Sequence, residues 1–149
     1  MFNKILVPLD FSDYTDEIMQ VAVQLAKKFG STLHVLHVIP NMDYFTPYES
    51  FLPAESLVNI QRDVEREVEK DMEAIAKKIG DVPVIRAVRT GVAFVEITDY
   101  VRAENIDLVV MGTHGRGGLE HILLGSVAEK VVRKSRCPVL TIRPAGKKL

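Results

Sequence analysis

Five short apolar runs rich in branched residues recur along this chain, and each pair is separated by a segment that reads as a helix. The runs are Asn3–Leu9, Thr32–Ile39, Val82–Arg89, Ile106–Met111 and Val139–Arg143. Runs of this length and composition read as buried strands. The intervening segments carry the helical period. Ile18, Ala22, Leu25 and Phe29 share one face of a helix over about Tyr14–Phe29, and Gly30 ends it. Leu57, Ile60, Val64, Val68, Met72, Ile75 and Ile79 form the stripe of a second helix, about Glu55–Ile79, whose other faces are charged. A third helix spans about Ala93–Glu104, and a fourth runs from Ser126 to about Ser135. Strand and helix alternating at these lengths predict an α/β chain: one open parallel sheet with helices on both faces, Rossmann-like.

Local signals refine the boundaries. Ser12 or Asp13 is expected to cap the first helix, with Asp16 and Glu17 at its positive end. Ser126 and Glu129 match the S-x-x-E capping box of the last. Pro83 places the third strand at a sheet edge. Pro40–Pro53 is a long loop. There is no linker or repeat, so residues 1–149 read as one domain with Ala145–Leu149 as a disordered tail.

Composition excludes several classes of function. No apolar stretch approaches the roughly 18–20 residues of a membrane span, and the opening MFNKILVPLD lacks a signal-peptide core. Cys137 is the only cysteine, which fits a reducing compartment, so a cytoplasmic location is expected. The net charge of −1 hides an asymmetry: Gly112 to the C-terminus carries eight Lys/Arg against two Asp/Glu. A local positive field suits an anionic ligand, and a solvated basic helix and tail would look the same. No nucleic-acid recognition motif accompanies these bases.

Chemistry gathers after the first and fourth strands. In open α/β sheets ligands bind beyond the carboxyl ends of strands, where the strand order reverses. The first strand ends in Pro8-Leu9-Asp10, and the fourth in Met111-Gly112-Thr113-His114-Gly115-Arg116-Gly117-Gly118. Glycines let successive amides curl around an anion, and the helix that follows Gly125-Ser126 offers free N–H groups and a positive end. Arg116 adds a mobile charge. A glycine-rich surface loop ahead of an ordinary helix remains the plain alternative. The segment is neither a Walker A loop nor a G-x-G-x-x-G fingerprint. His34 and His37, three apart on a strand, point to opposite faces and do not suit one metal ion. His114 contacts either ligand or solvent, His121 belongs to the surface, and Cys137 reads as filler.

Gly112-x2-Gly115-x9-Gly125-Ser126, set between a strand and a helix, resembles the G-x2-G-x9-G-[S/T] pattern of the ATP-binding branch of the universal stress protein family. The opening KILVPLDFS is similar to that family's first strand and turn. The resemblance covers nearly the whole chain and is weakest across residues 40–70. It implies the sheet order 3-2-1-4-5, which puts the switch point between strands one and four. It also implies residue roles. Asp10 contacts the nucleoside through ribose or adenine. Pro8 and Val38 line the adenine pocket, Val38 through its backbone, Leu9 belongs to the binding turn between Pro8 and Asp10, and Met111 packs beneath the ligand. Gly112 through Gly118 wrap ribose and phosphates, while Gly125, Ser126 and Val127 hold the phosphates. The family often has glycine where this chain has Phe11. The expected ligand is ATP, with AMP or ADP as alternatives, accompanied by Mg²⁺ or Mn²⁺. The resemblance further implies a homodimer through Val139–Arg143. With no catalytic residues identified, a nucleotide-dependent sensor or switch acting on a protein partner is the expected role. A slow ATPase, a nucleotidyl-transferring enzyme and an interaction module without nucleotide are the alternatives.

Overall fold

The computed structural model describes residues 1–41, 53–114 and 124–145. Its elements are β1 (Lys4–Leu9), α1 (Thr15–Phe29), β2 (Thr32–Ile39), α2 (Ala54–Ile79), β3 (Val84–Thr90), α3 (Ala93–Glu104), β4 (Leu108–Gly112), α4 (Ser126–Lys134) and β5 (Val139–Ile142). All pairings are parallel, and the five strands form one sheet in the order β3-β2-β1-β4-β5. The fold is therefore the expected α/β one, with Pro83 introducing an edge strand.

Strand alternation sorts the core into two layers. Ile5, Val7 and Leu9 of β1, with Leu33 and Val35 of β2, face Ile18, Met19, Ala22 and Ala26 of α1 and Val68, Met72 and Ile75 of α2. Leu6, Leu36, Val109 and Met111 face the other way, onto Ile97, Tyr100 and Val101 of α3 and Ala128 and Val131 of α4. Thus α1 and α2 cover one face and α3 and α4 the other. From β1 the chain winds to β2 on the first face, and from β4 to β5 on the second. The strand order reverses between the paired strands β1 and β4.

Several local expectations need correction. Tyr14, not Ser12 or Asp13, occupies the N-cap of α1 and makes no side-chain cap bond. Ser12 contributes its backbone carbonyl, which accepts from Thr15 N at 3.1 Å. Gly125 is the N-cap of α4, so Ser126 is the first helical residue and the capping box does not form. The Glu129 carboxylate instead accepts from Arg133 at 2.7 Å. On α1 the buried face runs through Met19 and Ala26, while Phe29 is 40% exposed and packs edge-on against Phe2. The stripe on α2 is buried only from Val68 onward, and Ile60 and Val64 are 42% and 39% exposed. Gly30 and Gly80 do end their helices, both at positive φ.

Candidate nucleotide site

A cavity of about 410 Å³ lies beyond the carboxyl ends of β1, β2 and β4. That size is within the range of small-molecule sites. Its wall contains Pro8, Leu9, Asp10, Val38, Met111, Gly112, Thr113, His114, Gly125, Ser126 and Val127. These are all the candidate residues that fall within the described chain. Gly115, Arg116, Gly117 and Gly118 lie outside the described residues, as do His121 and most of the Pro40–Pro53 loop. Six wall residues were not anticipated: Ile18, Leu36, His37, Ala93, Ile97 and Ala128. Most are apolar core positions whose side chains also floor the cavity, and no motif distinguishes such residues.

The wall is built from strand ends. The β1 end turns at Asp10, whose Oδ1 accepts a hydrogen bond from Ser12 N at 3.0 Å. Phe11 then takes a left-handed φ of 56°. Glycine adopts that conformation at no steric cost, whereas a bulky side chain does not. His37 donates from Nδ1 to the Leu9 carbonyl at 2.7 Å, and its ring lies 4.5 Å from that of Phe11. His34 faces the other layer, where its Nδ1 lies 2.9 Å from the Tyr100 hydroxyl. The two histidines therefore diverge, as their spacing requires.

On the other side, β4 ends at Gly112, and Thr113 N donates to Ile142 O at 2.9 Å. Gly125 N then donates to Thr113 O at 2.6 Å, closing the base of the β4–α4 connection. A Cβ at Gly125 would stand 2.9 Å from Thr113 O, and one at Gly112 would stand 2.8 Å from Ile18 Cδ1. Gly125 has an ordinary φ of −68°, so close backbone approach, not backbone freedom, demands glycine there. The first intrahelical bond of α4 runs from Glu129 N to Gly125 O. The amides of Ser126, Val127 and Ala128 thus have no acceptor within the helix, and they stand at its positive end in the cavity wall.

These features fit an adenine nucleotide. The apolar side (Pro8, Val38, Ala93, Ile97, Met111) suits a base, Asp10 suits a hydroxyl or amine donor, and the helix amides suit phosphate. Among the described residues no group of three or more His, Cys, Asp or Glu could hold a metal ion. Asp10 is the only acidic residue in the described wall.

The model of the universal stress protein family matches residues 1–143. The chain belongs to the universal stress protein family. Universal stress protein MJ0531 of Methanocaldococcus jannaschii is 33% identical over 151 residues, covering 99% of this chain and 85% of that protein. The solved structure of MJ0577 superposes with a TM-score of 0.85 at 30% identity, covering 99% of both chains. MJ0577 also comes from M. jannaschii. A universal stress protein of Archaeoglobus fulgidus in complex with dAMP shares the fold at a TM-score of 0.62 and 21% identity, covering 96% of this chain and all of that one. No helix among the described residues is long and apolar enough to cross a membrane.

Proposed function

We propose that this universal stress protein binds ATP in the cavity between β1 and β4 and acts in the stress response as a nucleotide-dependent switch. The observation that carries the reading is the convergence of Asp10, Gly112, Gly125 and the α4 amides on one cavity at the reversal of strand order. The dAMP complex of a distant family member supports an adenine nucleotide as the ligand class. Asp10 contacts the nucleoside, and Pro8, Leu9 and Val38 border the base. Met111 lies beneath the ligand. Gly112, Thr113 and His114, continuing into Gly115–Gly118, wrap ribose and phosphates. Gly125, Ser126 and Val127 hold the phosphates, with Mg²⁺ or Mn²⁺ bound through them.

Nucleotide shifts the protein between two states only through its different affinity for each. In this account it orders the β4–α4 connection and so alters the surface offered to a protein partner. The protein is cytoplasmic and forms a homodimer through β5. The test is mass spectrometry of small molecules released by heating the purified protein. An adenine nucleotide near one per chain is expected. Protein that carries none, and takes up none when incubated with ATP, would overturn the reading.

A further inference from the structure

Besides the Asp10 carboxylate, which accepts from Ser12 N, the side chains of Phe11 and His37 hold the turn after β1. The register pairs Leu9 with His37, so the imidazole reaches the last carbonyl of β1 from the neighbouring strand. Its Nδ1 lies 2.7 Å from Leu9 O. A carbonyl can only accept, so Nδ1 carries the hydrogen, and Nε2 of the neutral ring is the bare nitrogen. Two residues further on, Phe11 holds a φ of 56°, an unfavourable conformation for a bulky side chain. Such an outlier persists only where its surroundings fix it. Here the fixing contacts are visible. The Phe11 ring lies 4.5 Å from the His37 ring at an interplanar angle of 33°, and it packs against the core layer beneath α1. Asp10 sits between these two anchored residues, and its Oδ1 is taken by Ser12 N.

We propose that His37 is a positioning residue: its bond to Leu9 O and its contact with Phe11 fix the turn that aims Asp10 at the nucleoside. The proposal rests on the nucleotide reading above. It assigns His37 to nucleoside recognition and not to phosphate binding, because its contacts are to the β1 turn that carries Asp10, whereas the amides that would take the phosphates belong to α4. Loss of the Nδ1 donor frees the β1 end, so binding that depends on Asp10 weakens while binding of a bare polyphosphate does not. A role confined to folding would instead lower thermal stability and leave the preference for ATP over polyphosphate unchanged.

The test measures affinity for ATP and for inorganic tripolyphosphate by calorimetry in wild type, His37→Phe and His37→Asn. Phenylalanine keeps a ring against Phe11 and removes the donor. Asparagine places an amide N–H near the position of Nδ1. His37→Phe is expected to lose about tenfold or more in ATP affinity, the effect of losing the hydrogen bond that fixes the turn bearing Asp10, with tripolyphosphate within about twofold. His37→Asn is expected to recover most of the ATP affinity. Equal ATP affinities in all three proteins, or parallel losses for both ligands, would overturn the proposal. If circular dichroism shows that His37→Phe does not fold, His37→Leu takes its place with the same expectations. Nitrogen NMR of the free wild-type protein supplies a reading that needs no ligand. The Nδ1–H tautomer is expected at His37, and the Nε2–H tautomer would overturn the assignment. Wild-type protein that binds neither ligand would defeat the nucleotide reading separately.

Discussion

Asp10 is the only acidic residue in the described wall of the cavity, and one of its oxygens already holds the turn through Ser12 N. Asp10→Ala therefore removes a local brace and, in the proposed reading, a contact to the nucleoside. Calorimetry should show ATP affinity reduced by about 1.5–3 kcal/mol, the value of a charge-assisted hydrogen bond, and tripolyphosphate affinity little changed. Equal weakening of both ligands would mean that the carboxylate serves the turn alone. Gly125 has a different physical basis. A Cβ there meets the Thr113 carbonyl at 2.9 Å, and backbone cannot swing aside as a flexible side chain can. Gly125→Val should break the 2.6 Å bond that closes the β4–α4 connection and so abolish ATP binding.

At the scale of elements, α4 presents its first turn to the cavity. Because Ser126 is the first helical residue and not the cap, Ser126→Ala should leave the melting temperature nearly unchanged. It should still weaken ATP by about 1 kcal/mol through the lost hydroxyl. A drop in stability comparable to a lost cap would contradict this placement. Between β2 and α3, His34 is 1% exposed, with Nδ1 beside the Tyr100 hydroxyl and Nε2 without a partner. Burial holds its pKa below the ordinary 6.5, against an opposing pull from Glu104 and with Lys4 adding to the depression. The unfolded chain then takes up the proton more readily than the folded one. Stability is complete above about pH 6.5 and is lost as the pH falls from there through the folded pKa, by at most about 1.4 kcal/mol per pH unit for one proton. Urea unfolding at several pH values should show this slope in wild type and a shallower one in His34→Phe. Identical slopes would remove His34 from the account.

The strands and helices were legible because period and turn residues act locally, and the two layers followed from alternation. The strand order came from family resemblance, since composition does not reveal which strands are neighbours. The helix caps were misread because Ser12 and Ser126 are good caps in isolation. Tertiary geometry put Tyr14 and Gly125 in those positions instead. The places of Asp10, Gly112 and Gly125 in the cavity wall could be anticipated from the chemistry of the strand ends. His37 could not, because its role depends on a cross-strand partner 28 residues away.

For the whole molecule, β5 is the outer strand of the sheet, and Leu140 is 39% exposed. An apolar edge is an association hazard unless paired, so pairing with a second copy through residues 139–143 is expected. Sedimentation velocity at micromolar concentration should report a dimer. In the parallel register with β4 the Leu140 amide faces inward and the Thr141 amide faces the free edge, so Thr141→Pro, which removes an outward donor, should yield folded monomer. A wild-type monomer, or a dimer undisturbed by the substitution, would contradict that assembly. The most direct test of the central claim is a calorimetric titration of ATP into wild type and Gly125→Val, with circular dichroism on both. One ATP per chain should bind to wild type, and none to a variant with an unchanged spectrum. A wild-type protein that does not bind ATP, or a folded Gly125→Val that binds it equally well, would contradict the account.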